Sequence, residues 1–137
     1  MNLESIYPVR EPICTLIQPE PFRAVQAKSE YRNNSGSTSR VYLSALSMGP
    51  VAIATAPCEY HDSLGKEVKD DSPFEYTLFF AYTNGNLGYI PAEYTFELGG
   101  YEVVSTRYPK GTGEKIAEEL KGLLNQIYSE NQAENQN

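Results

Sequence analysis

The sequence predicts an α/β fold: a small mixed sheet with two main helices. Three observations carry this. Runs rich in β-branched and aromatic residues occur at Arg40–Ser47, Val51–Ala56 and Phe74–Thr83, the composition of strands. Apolar residues at helical spacing occur at Cys58–Lys69 and Thr112–Tyr128. The order strand, strand, helix, strand, long loop, helix suits a layered domain with at least three strands in its core. A chain of 137 residues is one domain by size.

In order along the chain, residues 1–21 carry Pro8, Pro12, Pro19 and Pro21. That density suits neither a helix nor a central strand, so an extended arm with a turn around Ile13–Ile17 is expected. Phe22–Tyr31 alternates loosely and admits a strand. Arg32–Ser39 is a polar loop. Arg40–Ser47 and Val51–Ala56 flank Met48-Gly49-Pro50 and read as a β-hairpin. Val51–Ala56, VAIATA, is apolar on both faces, which suits a strand covered by two layers. Only two good helices are available to cover it. An exposed apolar face is therefore expected, and with it a partner chain or self-association.

After Pro57, the residues Tyr60, Leu64 and Val68 form an apolar stripe on a helix, with Gly65 weakening it. Phe74–Thr83 is the strongest strand. Pro91–Leu98 reads as a short helix with Pro91 at its first position. Tyr101–Thr106 reads as a last strand. The closing helix, Thr112–Tyr128, buries Ile116, Leu120, Leu123 and Ile127 and turns Lys115, Glu118, Glu119 and Lys121 outward. Residues 129–137 are a polar tail expected to be disordered.

A net charge of −7 argues against a nucleic-acid partner, whose phosphates need a basic patch. No basic run suggests a membrane surface, and no apolar run reaches the ~20 residues of a membrane span. The N-terminus has neither a basic region nor an apolar one, so no secretory signal is expected and the chain reads as cytoplasmic by default. Cys14 and Cys58 lie far apart and read as two free thiols, with a single disulfide as the alternative. Asn33-Asn34-Ser35 is a glycosylation sequon, relevant only in a secretory compartment.

The chain's organising stretch is 84–104. It holds Gly85, Gly88, Gly99 and Gly100, the tyrosines Tyr89, Tyr94 and Tyr101, and the acids Glu93, Glu97 and Glu102. It is far longer than a plain connection and follows the strongest strand, where α/β sheets place ligands. Glu59 stands at a strand-to-helix corner. It reads either as a carboxylate projecting from the sheet edge or as a first-turn acid favoured by the helix dipole. His61, the one histidine, reads as a surface or cap residue. No phosphate loop is present.

The segment from Leu46 to Tyr108 resembles the C-terminal part of the catalytic domain of neutral/alkaline ceramidases. A strand runs into Pro57-Cys58-Glu59. A helix and Ser72-Pro73 follow, then a hydrophobic strand, Asn84 and Tyr89-Ile90-Pro91. Gly100-Tyr101-Glu102 and Ser105-Thr106 complete the series, and the closing helix fits. The likeness covers roughly residues 40–128. It implies a partial version of a larger α/β hydrolytic domain, preceded here by a Pro-rich arm, a candidate strand and a loop over 1–39.

The resemblance also implies chemistry. Such enzymes hydrolyse the N-acyl amide of ceramide with zinc. Their ligands are two histidines from earlier in the chain, the glutamate of Pro-x-Glu and the tyrosine of Tyr-Ile-Pro; the last two match Glu59 and Tyr89 here. A carboxylate is an ordinary zinc ligand. A tyrosine, with a phenol of pKa about 10, is a rarer one.

Two departures stand out. The family's Pro-Gly-Glu is Pro-Cys-Glu, and the histidine-bearing portion has no counterpart before residue 40. His61 is not expected to replace those ligands, because on a helix it diverges from Glu59 by about 200°. The implied protein is a C-terminal fragment or subunit of a zinc amidohydrolase acting on ceramide-type lipids, inactive alone and completed by an N-terminal catalytic portion. The alternatives are a non-catalytic binding or interaction domain and a truncated remnant. The compartment stays open, since longer relatives of this kind include secreted and periplasmic proteins.

Overall fold

The computed structural model describes residues 22–135. The expected arm, its turn and Cys14 lie outside them. The elements are β1 (Phe22–Arg32), β2 (Thr38–Met48), β3 (Val51–Thr55), β4 (Glu59–Tyr60), α1 (Asp62–Asp70), β5 (Tyr76–Phe80), β6 (Tyr89–Ile90), α2 (Thr95–Leu98), α3 (Tyr101–Ser105) and α4 (Thr112–Glu134).

The mixed α/β class holds. β1, β2, β3 and β5 form one sheet in that order, and β4 and β6 form a second, two-stranded one. β1–β2 and β2–β3 are antiparallel, while β3 and β5 are parallel. A parallel neighbour needs a crossover, and α1 supplies it. The sheet thus begins at Phe22, and its first hairpin spans the polar loop before residue 40.

One face of the sheet is buried. Val41, Leu43 and Ala45 of β2 and Ala52 and Ala54 of β3 meet Ile116, Leu120, Leu124 and Ile127 of α4, with Val68 of α1 in the same core. Gly65 faces Phe79 of β5, where a Cβ would stand in ordinary contact at 3.4 Å, so this packing does not demand a glycine. Gly113 is tighter, since a Cβ there would stand 2.4 Å from Leu64 Cδ1 and 3.1 Å from the Pro91 carbonyl oxygen.

Among the described residues, the other face carries no second layer. In register across the four strands lie Phe22, Met48, Val51 and Tyr76, and one row on, Ala24, Leu46, Ile53 and Leu78. Among the described residues VAIATA therefore lies under one layer and not the expected two. Ala52 and Ala54 are covered by helix, while Val51 and Ile53 are only half-buried among their neighbours in the sheet.

Four further expectations change. The helix after Pro57 begins only at Asp62: His61 is its N-cap, with Ser63 N–H donating to His61 Nδ1 at 3.4 Å and to Asp62 Oδ1 at 2.8 Å. β5 ends early because Tyr82 and Asn84 take positive φ, 53° and 62°, which turns the chain out of the ladder. Tyr101–Thr106 is no strand. It closes helical bonds from Val104 N to Gly100 O and from Thr106 N to Glu102 O, beside a β6 of two residues that offers no long edge to pair with.

The polar tail is helical through Glu134. Its partners are distant in sequence: Asn131 donates to Ser47 Oγ at 3.1 Å, and Arg23 pairs with Glu130 and Glu134. The outward polar face of α4 is also partly engaged. Glu119 accepts from Tyr31 at 2.6 Å and from Ser29, and Lys121 sits among Glu67, Asp71 and Glu118.

Candidate metal centre

The candidate site forms where the chain leaves the parallel pair β3–β5. Both strands run on into loops, and the loops are stitched together. Ala56 N donates to Phe80 O, Thr83 N to Ala56 O, Tyr82 N to Cys58 O and Leu87 N to Pro57 O, at 2.7–3.2 Å. The stitching ends in the β4–β6 ladder, which is parallel and pairs Glu59 with Tyr89 and Tyr60 with Ile90. Glu59 N donates to Gly88 O at 2.9 Å and His61 N to Ile90 O at 3.1 Å. Partners in register on a parallel ladder project to the same face, so Glu59 and Tyr89 are neighbours on one side of it.

The ladder is anchored from beneath. Tyr60 turns the other way, stacks on Phe79 at 5.1 Å and donates from its hydroxyl to Gly113 O at 2.6 Å. Cys58 is a free, buried thiol, pushed up to about 12 by desolvation. It fills core space where the resembled family has glycine, and it offers no reactive thiolate.

The Glu59 carboxylate organises the phenols around it. Tyr82, in its left-handed conformation, donates its hydroxyl to Glu59 Oε2. Its pKa rises to about 12, first through that hydrogen bond, then through desolvation and the charge of Glu59. Tyr89 is also raised, first by hydrogen bonding to Glu59, then by desolvation and the Glu59 charge. Both phenols are therefore held neutral while Glu59 is a carboxylate. Tyr101 packs edge-on against Tyr89 at 5.4 Å between ring centres.

Glu59, Tyr89, His61 and Glu102 line one cleft of about 300 Å³. The expectation that His61 diverges from Glu59 on a helix fails, because Glu59 is in a strand and His61 caps the helix. The first-turn-acid reading of Glu59 falls for the same reason. His61 Nδ1 is engaged, at 2.9 Å from Ser63 Oγ and 3.2 Å from Asp62 Oδ1. Among the described residues no group of three or more His, Cys, Asp or Glu side chains is placed to hold a metal.

Asn84, part of the same motif series, lines a groove of about 540 Å³ on the open sheet face. Tyr82 was not legible as a site residue. Its position depends on a positive φ that a tyrosine adopts only under tertiary constraint, and nothing in AYTNG signals it.

No protein-family model matches the chain. No curated protein matches it. Solved structures do. A ceramidase complexed with C2 superposes with a TM-score of 0.60 and 16% identity over 66% of this chain and 15% of the ceramidase. The neutral ceramidase from Pseudomonas aeruginosa gives 0.56 and 17% over 63% of this chain and 15% of its own. At that identity the likeness is one of fold, and it agrees with the resemblance read from the motifs. The chain thus corresponds to about one seventh of either ceramidase.

Proposed function

We propose that this chain carries the carboxylate–phenol half of a ceramidase-like zinc site, contributed by Glu59 and Tyr89 and completed by nitrogen ligands from outside it. The observation that supports this most is the direct pairing of Glu59 with Tyr89 on the β4–β6 ladder. It brings together the two positions that the motif likeness marks as ligands, 30 residues apart in sequence. The donor chemistry fits half a site: two oxygens suit zinc, but a catalytic zinc usually has three protein ligands and much histidine among them.

When bound, zinc would polarise an amide carbonyl and make a water acidic at neutral pH. The chain's own residues do the rest that is visible. The ladder sets the spacing of the two donors. Tyr82 ties down Glu59 Oε2 and so fixes how the carboxylate is presented. Glu59 keeps Tyr89 protonated, so a cation at the pair must displace that phenolic proton before Tyr89 binds well. The substrate class that follows from this reading is a lipid N-acyl amide of the ceramide type.

A second reading is a binding or interaction domain that keeps the fold without the reaction. It is favoured by the absence, among the described residues, of three or more His, Cys, Asp or Glu side chains grouped to hold a metal.

Equilibrium dialysis against zinc separates the two, with imidazole supplied in place of the missing nitrogen ligands. The proposed site retains zinc weakly alone and more tightly with imidazole, and loses both on Glu59→Gln or Tyr89→Phe. Retention that ignores imidazole and both substitutions overturns it.

A further inference from the structure

We infer that residues 1–21 of this chain lie across the second face of the four-stranded sheet and supply the layer that the described residues do not. The inference is independent of the metal reading. It starts from the two apolar rows in register on that face, Phe22, Met48, Val51 and Tyr76, then Ala24, Leu46, Ile53 and Leu78. Among the described residues Phe22 is 66% exposed, Met48 60% and Tyr76 57%. A contiguous apolar surface of this kind marks a place where something packs. Residues 1–21 join the sheet at Phe22, the first position of the first row.

The composition of the segment matches the face. Ile6, Val9, Ile13, Leu16 and Ile17 are apolar groups suited to cover the rows. Pro8, Pro12, Pro19 and Pro21 each lack the N–H that a ladder needs. The segment is therefore better suited to pack on a face than to add a strand at an edge.

Charge points the same way. Beyond the apolar rows, Lys28, Glu30, Arg32 and Arg40 alternate onto the same face. Glu30 faces Arg40 in register, whereas Lys28 stands opposite Tyr42 and Arg32 opposite Thr38. Lys28 and Arg32 thus have no acid across the ladder. The side chains of residues 1–21 carry the opposite balance, Glu4, Glu11 and Glu20 against Arg10. Reach is ample. Four strands at a spacing of about 4.8 Å present a width of about 14 Å, and 21 residues can extend to about 70 Å. A tethered segment also meets its site at an effective concentration on the order of millimolar, which favours it over a second copy in dilute solution.

A nitroxide on Cys14 tests this in the full chain. Cys14 belongs to the segment, while Cys58 is buried with its thiol pushed up to about 12, so the label goes to Cys14. The methyl resonances of Leu46, Ile53 and Leu78 should broaden at least twofold more than those of Ile116 and Leu120, which pack on the other face. Ile13→Asp combined with Ile17→Asp lies outside the described core. It should abolish that difference and let the chain bind an apolar dye, with circular dichroism unchanged. Equal broadening on the two faces overturns the inference, as does a difference that survives the double substitution. Broadening that passes from labelled chains to isotope-enriched Cys14→Ser chains in a mixed sample assigns the face to a second copy and overturns it equally.

Discussion

Glu59 and Tyr89 stand opposite each other on a parallel ladder of two residues per strand, and the Glu59 carboxylate holds the Tyr89 phenol above its ordinary pKa. A second phenol, Tyr82, is bound to the same carboxylate. A ladder this short has little stability of its own. It persists because Tyr60 is bolted to Gly113 and Phe79 beneath it, and because the loops on either side are cross-bonded.

Titration of the phenols tests that arrangement. Ultraviolet absorbance should show Tyr82 ionising near pH 12 in the native chain. Glu59→Gln removes the charge that opposes phenolate, so Tyr82 and Tyr89 should ionise at lower pH. The stability linkage follows the sign of the shift. A folded-state pKa raised above the unfolded value of about 10 contributes stability that is present below pH 10 and is lost as pH rises towards 12. Base melting between pH 10 and 12 should therefore be less steep in Glu59→Gln. Unchanged phenol titration in that variant would count against the contact.

Two of the helix glycines, Gly113 and Gly65, should behave oppositely. Gly113→Ala drives a Cβ to 2.4 Å from Leu64 Cδ1 and 3.1 Å from the Pro91 carbonyl, an overpacking cost of about 1–3 kcal/mol. Gly65→Ala meets Phe79 at 3.4 Å, and the better helix propensity of Ala, up to ~1 kcal/mol, should leave it neutral or slightly stabilising. Denaturant unfolding of both variants decides, and equal effects would show that the helix positions are misread.

Truncation after Tyr128 should destabilise the domain by roughly 1–3 kcal/mol, since it removes a buried hydrogen-bonded side chain and two ion pairs to Arg23. Loss of a disordered tail would leave the midpoint of unfolding unchanged. Asn131→Ala alone should account for a good part of the loss.

How far the sequence could be read follows from where each element's partners lie. β3, β5 and α4 were legible because apolar runs and helical spacing are local signals. The open apolar face was legible too, since VAIATA is apolar on both sides and the helices are few. The helical end of α4 was not: SENQAE gains its order from Ser47 and Arg23, which no local pattern reveals. Tyr101–Thr106 misled because an alternating pattern needs an edge to pair with, and β6 offers only two residues. At the site, motif likeness was enough to mark Glu59 and Tyr89. Tyr82 and the placing of His61 in the same cleft depend on backbone turns at residues 61 and 82 that composition does not encode.

If this chain holds half a metal site and not a working one, zinc content after dialysis and fatty-acid release from an N-acyl sphingoid substrate, both measured on the purified chain alone, should show it. Zinc well below one per chain and no release are expected. One zinc per chain with turnover that Glu59→Ala abolishes would contradict it, and would make the cleft shared by Glu59, His61, Tyr89 and Glu102 a complete site.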